Sequence, residues 1–111
     1  MKKYSFLLML TTAFIGAKTY KLTNLTKHET LKVQVKIQGP SCGTQITAYD
    51  IKQKENEEII TARRCTIKDI HLIPAHGIEK EEIIKAKEDI DENVTTIAIK
   101  HAADGYKLTY Y

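Results

Sequence analysis

Tryptophan is absent from this chain, and serine, arginine and proline nearly so. Without Trp, the Cys-Trp-Cys signature of antibody domains cannot occur. Ser5 and Ser41 are the only serines. A serine hydrolase would have to rest on Ser41, and no Gly-x-Ser-x-Gly surrounds it. There is also no Gly-rich phosphate loop and no His-Glu-x-x-His. Arg63 and Arg64 are the only arginines, and a pair alone makes no phosphate site. On a strand they would take opposite faces, the inward one packing its stem or meeting a carboxylate. Internal repeats, a low-complexity linker and a second domain are lacking too.

The chain opens Met1-Lys2-Lys3, a short positive stretch. Fourteen uncharged residues follow, Tyr4 to Ala17, dense in Phe6, Leu7, Leu8, Met9, Leu10, Phe14 and Ile15. Gly16 and Ala17 supply small residues at the end. This is the pattern of a cleaved signal peptide, expected as an N-terminal helix over residues 1–17. The run falls short of the roughly 20 apolar residues that a span needs, so no membrane span is expected in the mature chain. Cleavage after Ala17 is favoured over cleavage after Ala13, which would shorten the apolar run. The expected localisation is secreted or periplasmic.

Of 111 residues, 94 then remain, one small domain over 18–111. The net charge of +3 includes Lys2 and Lys3, so the mature chain carries +1. That gives nucleic acid no electrostatic case. The charge is uneven. Lys18 to Lys54 holds seven Lys against Glu29 and Asp50, and Glu79 to Glu92 holds seven acids against three Lys. Two solvated faces that also attract each other account for this. In an exported chain Cys42 and Cys65 read as one disulfide. It would close a loop of about 23 residues and contribute roughly 3 kcal/mol.

The rest reads as strands. Thr19 to Thr26 is the first, with Tyr20, Leu22 and Asn24 on one side. Thr30 to Gln38 is the clearest, with Leu31, Val33, Val35 and Ile37 inward and Lys32, Gln34, Lys36 and Gln38 outward. Turn residues Gly39-Pro40-Ser41-Cys42-Gly43 stop it. Gln45 to Gln53 resumes, with either Ile46 and Ala48 or Tyr49 and Ile51 inward. After a polar turn at 54–58, Ile59 to Ile73 reads as a long β-rich stretch, bent or broken near Lys68-Asp69. Pro74 to Gly77 breaks the chain. Residues 79–91 read as strand plus loop in preference to helix. Val94 to His101 places Ile97 and Ile99 inward. Ala103-Asp104-Gly105 signals a hairpin, and Tyr106, Leu108 and Tyr110 return. Short strands split by such turns predict an all-β, antiparallel β-sandwich, immunoglobulin-like in architecture.

The candidate binding loop is Gly39, Pro40, Ser41 and Gly43, stiffened by proline and anchored by Cys42–Cys65; a preformed loop binds at lower entropic cost. A Cys42 nucleophile is excluded once the thiol is oxidised. His28, His71, His76 and His101 are scattered, and His71 and His76 share no strand or helix face for zinc. Asp89, Asp91, Glu92 and Asn93 carry hard oxygen ligands but lack EF-hand spacing. Asn24-Leu25-Thr26 and Asn93-Val94-Thr95 match the glycosylation acceptor pattern. Tyr106 and Tyr110 read as core lining, with Tyr111 beyond them.

The expected function is a small non-catalytic binding protein recognising another protein or a surface ligand, with no enzyme activity, cofactor or metal. One alternative is an inhibitor that inserts the 39–43 loop into a secreted enzyme. Another is a small exported metal-binding protein or enzyme in which several of Asp69, His71, His76, Glu79 and His101 converge. Intact mass of the exported protein should lack residues 1–17, with both cysteines alkylated only after reduction. A full-length mass with two free thiols would remove the export reading.

Overall fold

The computed structural model describes residues 17–74 and 80–111. The expected signal-peptide helix falls outside them except for Ala17, and so do His76 and Glu79. The fold is all-β, with no helix among the described residues. Eight strands follow in order: β1 (Lys18–Asn24), β2 (Thr30–Gly39), β3 (Gly43–Lys52), β4 (Asn56–Thr61), β5 (Thr66–Leu72), β6 (Glu82–Lys85), β7 (Thr96–Ala102) and β8 (Gly105–Tyr110). They form two four-stranded sheets, ordered β4-β1-β7-β8 and β3-β2-β5-β6. Every pairing is antiparallel except β1 with β7.

One apolar layer serves both sheets, giving a sandwich-like packing. Tyr20, Leu22, Ile59, Ile97 and Ile99 enter it from one sheet, and Leu31, Val33, Val35, Ile37, Ile51, Ile67, Ile70 and Leu72 from the other. The alternation of β2 holds along the strand: Leu31, Val33 and Val35 are fully buried, while the residues between them face outward. On β3 the inward pair is Tyr49 and Ile51; Ile46 and Ala48 are exposed.

The expected β-rich stretch Ile59 to Ile73 is two strands in different sheets. The chain leaves β4 at Thr61, turns through Ala62 to Cys65, and crosses to β5. Arg64 takes a left-handed conformation there, with φ of 65°. A local reading of β propensity cannot see such a crossing, because both strands are equally β-rich. The irregularity expected near Lys68-Asp69 is a bulge. Lys36 pairs with Asp69 and Ile37 with Ile67, leaving Lys68 as the extra residue. The bulge lets Ile67 and Ile70, three apart, both point inward. Residues 79–91 are strand plus loop where described: β6 is four residues long, and Ile84 and Ile90 pack on the core from the side.

The turn from β1 to β2 is built on Asn24, which is completely buried. Its Nδ2 donates to the carbonyls of His28 (3.1 Å) and Ile51 (3.0 Å). Its Oδ1 accepts from the Thr26 N–H (3.0 Å) and the Thr26 hydroxyl (2.6 Å). That satisfies the whole amide. The same amide nitrogen would have to be solvent-accessible to accept a glycan, so Asn24 is a structural residue in the folded state; Asn93 is exposed. No helix of the described residues is long and apolar enough to cross a membrane.

Replacing Asn24 by Ala should cost on the order of 3 kcal/mol, because two buried carbonyls and the Thr26 donors lose their partner. A shift of the urea midpoint without a change of slope would show it.

Candidate functional site

Two ends of the sheets hold the polar groups that stand out. At one end, the β2–β3 turn and the β4–β5 crossing lie side by side, joined by the Cys42–Cys65 disulfide with Cα atoms 6.4 Å apart. The approach is so close that a Cβ on Gly39 would sit 2.2 Å from the Arg64 carbonyl oxygen, so only glycine fits there. Ser41 donates its hydroxyl to the Arg63 carbonyl, and the Cys42 N–H donates to Gly39 O at 3.4 Å. Four of the residues named from sequence, Gly39, Pro40, Ser41 and Gly43, thus form one face of a cross-linked tip.

The other face comes from the crossing. An open groove of about 480 Å³ runs between Pro40, Gly43 and Thr44 on one side and Arg64, Thr66 and Lys68 on the other. A neighbouring hollow of about 330 Å³ is lined by Ser41, Arg63 and Arg64. Neither lining includes a carboxylate. The expectation of one inward arginine is corrected: both lie in the loop, both are exposed, and neither is in an ion pair among the described residues. The turn frees them from strand alternation. The tip therefore offers two guanidinium groups and the Lys68 ammonium, with amide and hydroxyl donors from Gln38, Thr44 and Thr66. That suits carboxylates, since Arg presents paired N–H groups to two oxygens. As a nucleophile Ser41 is poorly placed, because its hydroxyl donates to the Arg63 carbonyl.

At the opposite end, His28, His101 and Tyr106 form a ring cluster with centroids 5.3 to 5.8 Å apart. The β1–β2 turn supplies His28, and the β7–β8 hairpin supplies the other two. His28 Nε2 and the Tyr106 hydroxyl are 2.5 Å apart. His101 Nε2 accepts the Lys27 N–H at 2.9 Å. Burial lowers the His28 pKa from its usual value, and the charges of His101 and Lys27 push the same way. Burial raises that of Tyr106, helped by Glu82. Both shifts favour a neutral ring beside a protonated phenol. Glu82 also accepts the Tyr106 N–H at 2.9 Å, and it occupies the space a side chain on Gly105 would fill. Tyr106 and Tyr110 are half-buried and pack against the core.

The metal reading required a convergence that the described residues lack. Asp69 and His71 share β5, but His71 pairs with Glu81 at 3.1 Å on an outer face, and His101 belongs to the other sheet. Three or more metal-type ligands do not gather anywhere among the described residues. In the acidic segment, the Asp91 carboxylate accepts the Asn93 N–H at 2.9 Å, an ordinary turn. Sequence reasoning missed two groupings, Lys68 with Arg64 and His28 with His101 and Tyr106. The first joins a loop residue to a β5 residue four positions on, across a bulge, and the second joins the β1–β2 turn to the β7–β8 hairpin, so no strand spacing marks either. Compared with known proteins, the chain matches no family model, no curated protein and no solved structure.

The His28 shift has a pH consequence. The unfolded ring titrates at about 6.5, and the folded ring below it. Between those values the unfolded chain binds more protons, so this group's contribution to stability is full above about 6.5 and is lost as pH falls through the folded value. Wild type should therefore lose stability relative to His28→Asn as pH drops from about 7 to 5. Urea midpoints of the two proteins that track in parallel over that range would contradict this.

Proposed function

We propose that this chain is a small exported, non-catalytic binding protein that recognises an acidic segment of another protein through its cross-linked tip. The observation that carries the reading is the groove between Pro40, Gly43 and Thr44 and the crossing residues Arg64, Thr66 and Lys68, cationic and without a carboxylate in its lining. Preorganisation supports it. The disulfide, the Gly39 close approach and the Ser41 bond to Arg63 hold both loops in place before any partner arrives. An inhibitor that inserts residues 39–43 into a secreted enzyme is a special case of the same contact.

Export in this reading rests on residues 1–17 as a signal-peptide helix, and the destination is the periplasm or the medium. A disulfide is compatible with an oxidising compartment. The sandwich-like packing is taken as a β-sandwich that is immunoglobulin-like in its two facing sheets. Its strand order is its own. Constant-type immunoglobulin domains order their strands ABED and CFG, against β4-β1-β7-β8 and β3-β2-β5-β6 here.

The test is an NMR titration with a glutamate-rich peptide. Amide shifts should concentrate in residues 38–44 and 63–68, and should weaken with added salt. Arg64→Ala with Lys68→Ala should weaken binding roughly tenfold or more, the scale of a charge-assisted hydrogen bond. Lys107→Ala, on the far sheet, should leave it unchanged. Shifts centred elsewhere, or none, would remove the tip from the reading.

A further inference from the structure

Each sheet ends in two strands with one unpaired edge apiece, and a bare edge is a template for another strand. Three of these four edges carry the usual protections. β6 is only four residues long and holds Glu82 and Lys85. β4 is six residues long, with Glu57 and Glu58 in it and Glu55 just before. β8 carries Lys107, and its Tyr110 hydroxyl accepts the Lys87 N–H at 2.8 Å from the loop alongside.

β3 is guarded only near its end, where Asp50 and Lys52 carry charge. It is ten residues long and pairs with β2 in an unbroken register, with no bulge to twist it away. Residues 43–48 are all exposed, and no described strand pairs with its outer side. The segment Thr44-Gln45-Ile46-Thr47-Ala48-Tyr49 carries no charge and no proline and is rich in β-branched and aromatic residues. Ile46 stands 61% exposed on it, the most exposed large apolar side chain among the described residues. A neutral, flat, β-prone edge of this kind pairs readily.

We infer that β3 pairs antiparallel with β3 of a second copy of this chain, about a two-fold axis at Thr47. Identical strands related this way place residues of the same face opposite each other, so the axis must pass through a residue. An axis at Thr47 engages nine of the ten strand residues, 43 to 51. It sets Thr47 against Thr47, Ile46 of each copy against Ala48 of the other, and Gln45 against Tyr49. It also sets Asp50 of each copy against Thr44 of the other, at the margin of the groove that holds Arg64 and Lys68. The one carboxylate in the strand thus meets the basic end of its neighbour. Moving the axis to Ala48 engages as many residues but sets Ile46 against Asp50, an apolar side chain against a charge. Moving it to Ile46 shortens the overlap to seven. The Thr47 register alone combines full overlap, apolar pairing and charge complementarity. The dimer carries its two cross-linked tips at opposite ends.

Sedimentation equilibrium of the purified protein over a concentration series tests this. Wild type should be a dimer that dissociates on dilution. Ile46→Lys should raise its dissociation constant roughly tenfold or more, since the symmetric pairing loses two Ile46–Ala48 contacts at once. Ala48→Lys should do the same and serves if Ile46→Lys fails to fold, with far-ultraviolet circular dichroism as the check. Under oxidation Thr47→Cys should give a covalent dimer, and Lys107→Cys on β8 should not. A wild-type monomer at every concentration would overturn the inference, as would a dimer indifferent to both lysine substitutions. A monomer whose β3 amides gain exchange protection only with an added extended peptide would assign the edge to a different chain and overturn self-pairing.

Discussion

Everything in this molecule hangs on one apolar layer shared by two sheets. Neither sheet can hide its apolar face alone, and the chain passes repeatedly from one to the other. β1 and β2 lie in different sheets, as do β3 and β4, β4 and β5, and β6 and β7. Each passage is possible only because the strands it joins add side chains to the same interior. A domain this small buries a limited share of its surface, so the layer leaves little margin. That explains why its linkages at the two ends are specific ones, a covalent bond at one end and a saturated buried amide at the other.

The two ends solve the same problem differently. At the tip, two turns are held together by Cys42–Cys65, by the Ser41 hydroxyl and by a close approach that only Gly39 permits. At the far end, Asn24 replaces the missing backbone partners of the β1–β2 turn. Thr26 and Gln53 extend the set, Gln53 donating to the Thr26 carbonyl at 2.9 Å. Among the described residues no buried side-chain nitrogen or oxygen is left without a partner. Such completeness is what makes a buried polar network tolerable. The His28, His101 and Tyr106 rings sit beside that network, where burial holds the His28 pKa below its usual value.

Position along the sandwich separates the chemistry of the surface. The bulge at Lys68 and the left-handed turn at Arg64 bring cations to the tip, while Glu81, Glu82, Glu88 and Asp91 lie before, on and after β6. The lopsided charge of the sequence is thus spread over different parts of the fold, yet the tip retains no carboxylate of its own. The cationic tip and the long exposed β3 edge are the two surfaces on which the proposed contacts rest.

Alternation by itself determined much. The inward faces of β1, β2 and β7 were legible because a half-buried strand must place apolar side chains at every second position. Turn chemistry marked both ends of the β2–β3 hairpin, and two cysteines in an exported-looking chain implied their pairing. Tertiary structure decided what depends on partners distant in the chain. It split Ile59 to Ile73 between two sheets, since propensity records that a residue suits a strand and not which sheet holds it. It turned Arg63 and Arg64 outward together, because a left-handed turn cancels strand alternation. It made Asn24 a buried hub, because packing brings the Ile51 carbonyl of β3, 27 residues away, to the amide that also holds the β1–β2 turn. Periodicity carries local geometry, whereas a site assembled from several strands exists only once their register is set.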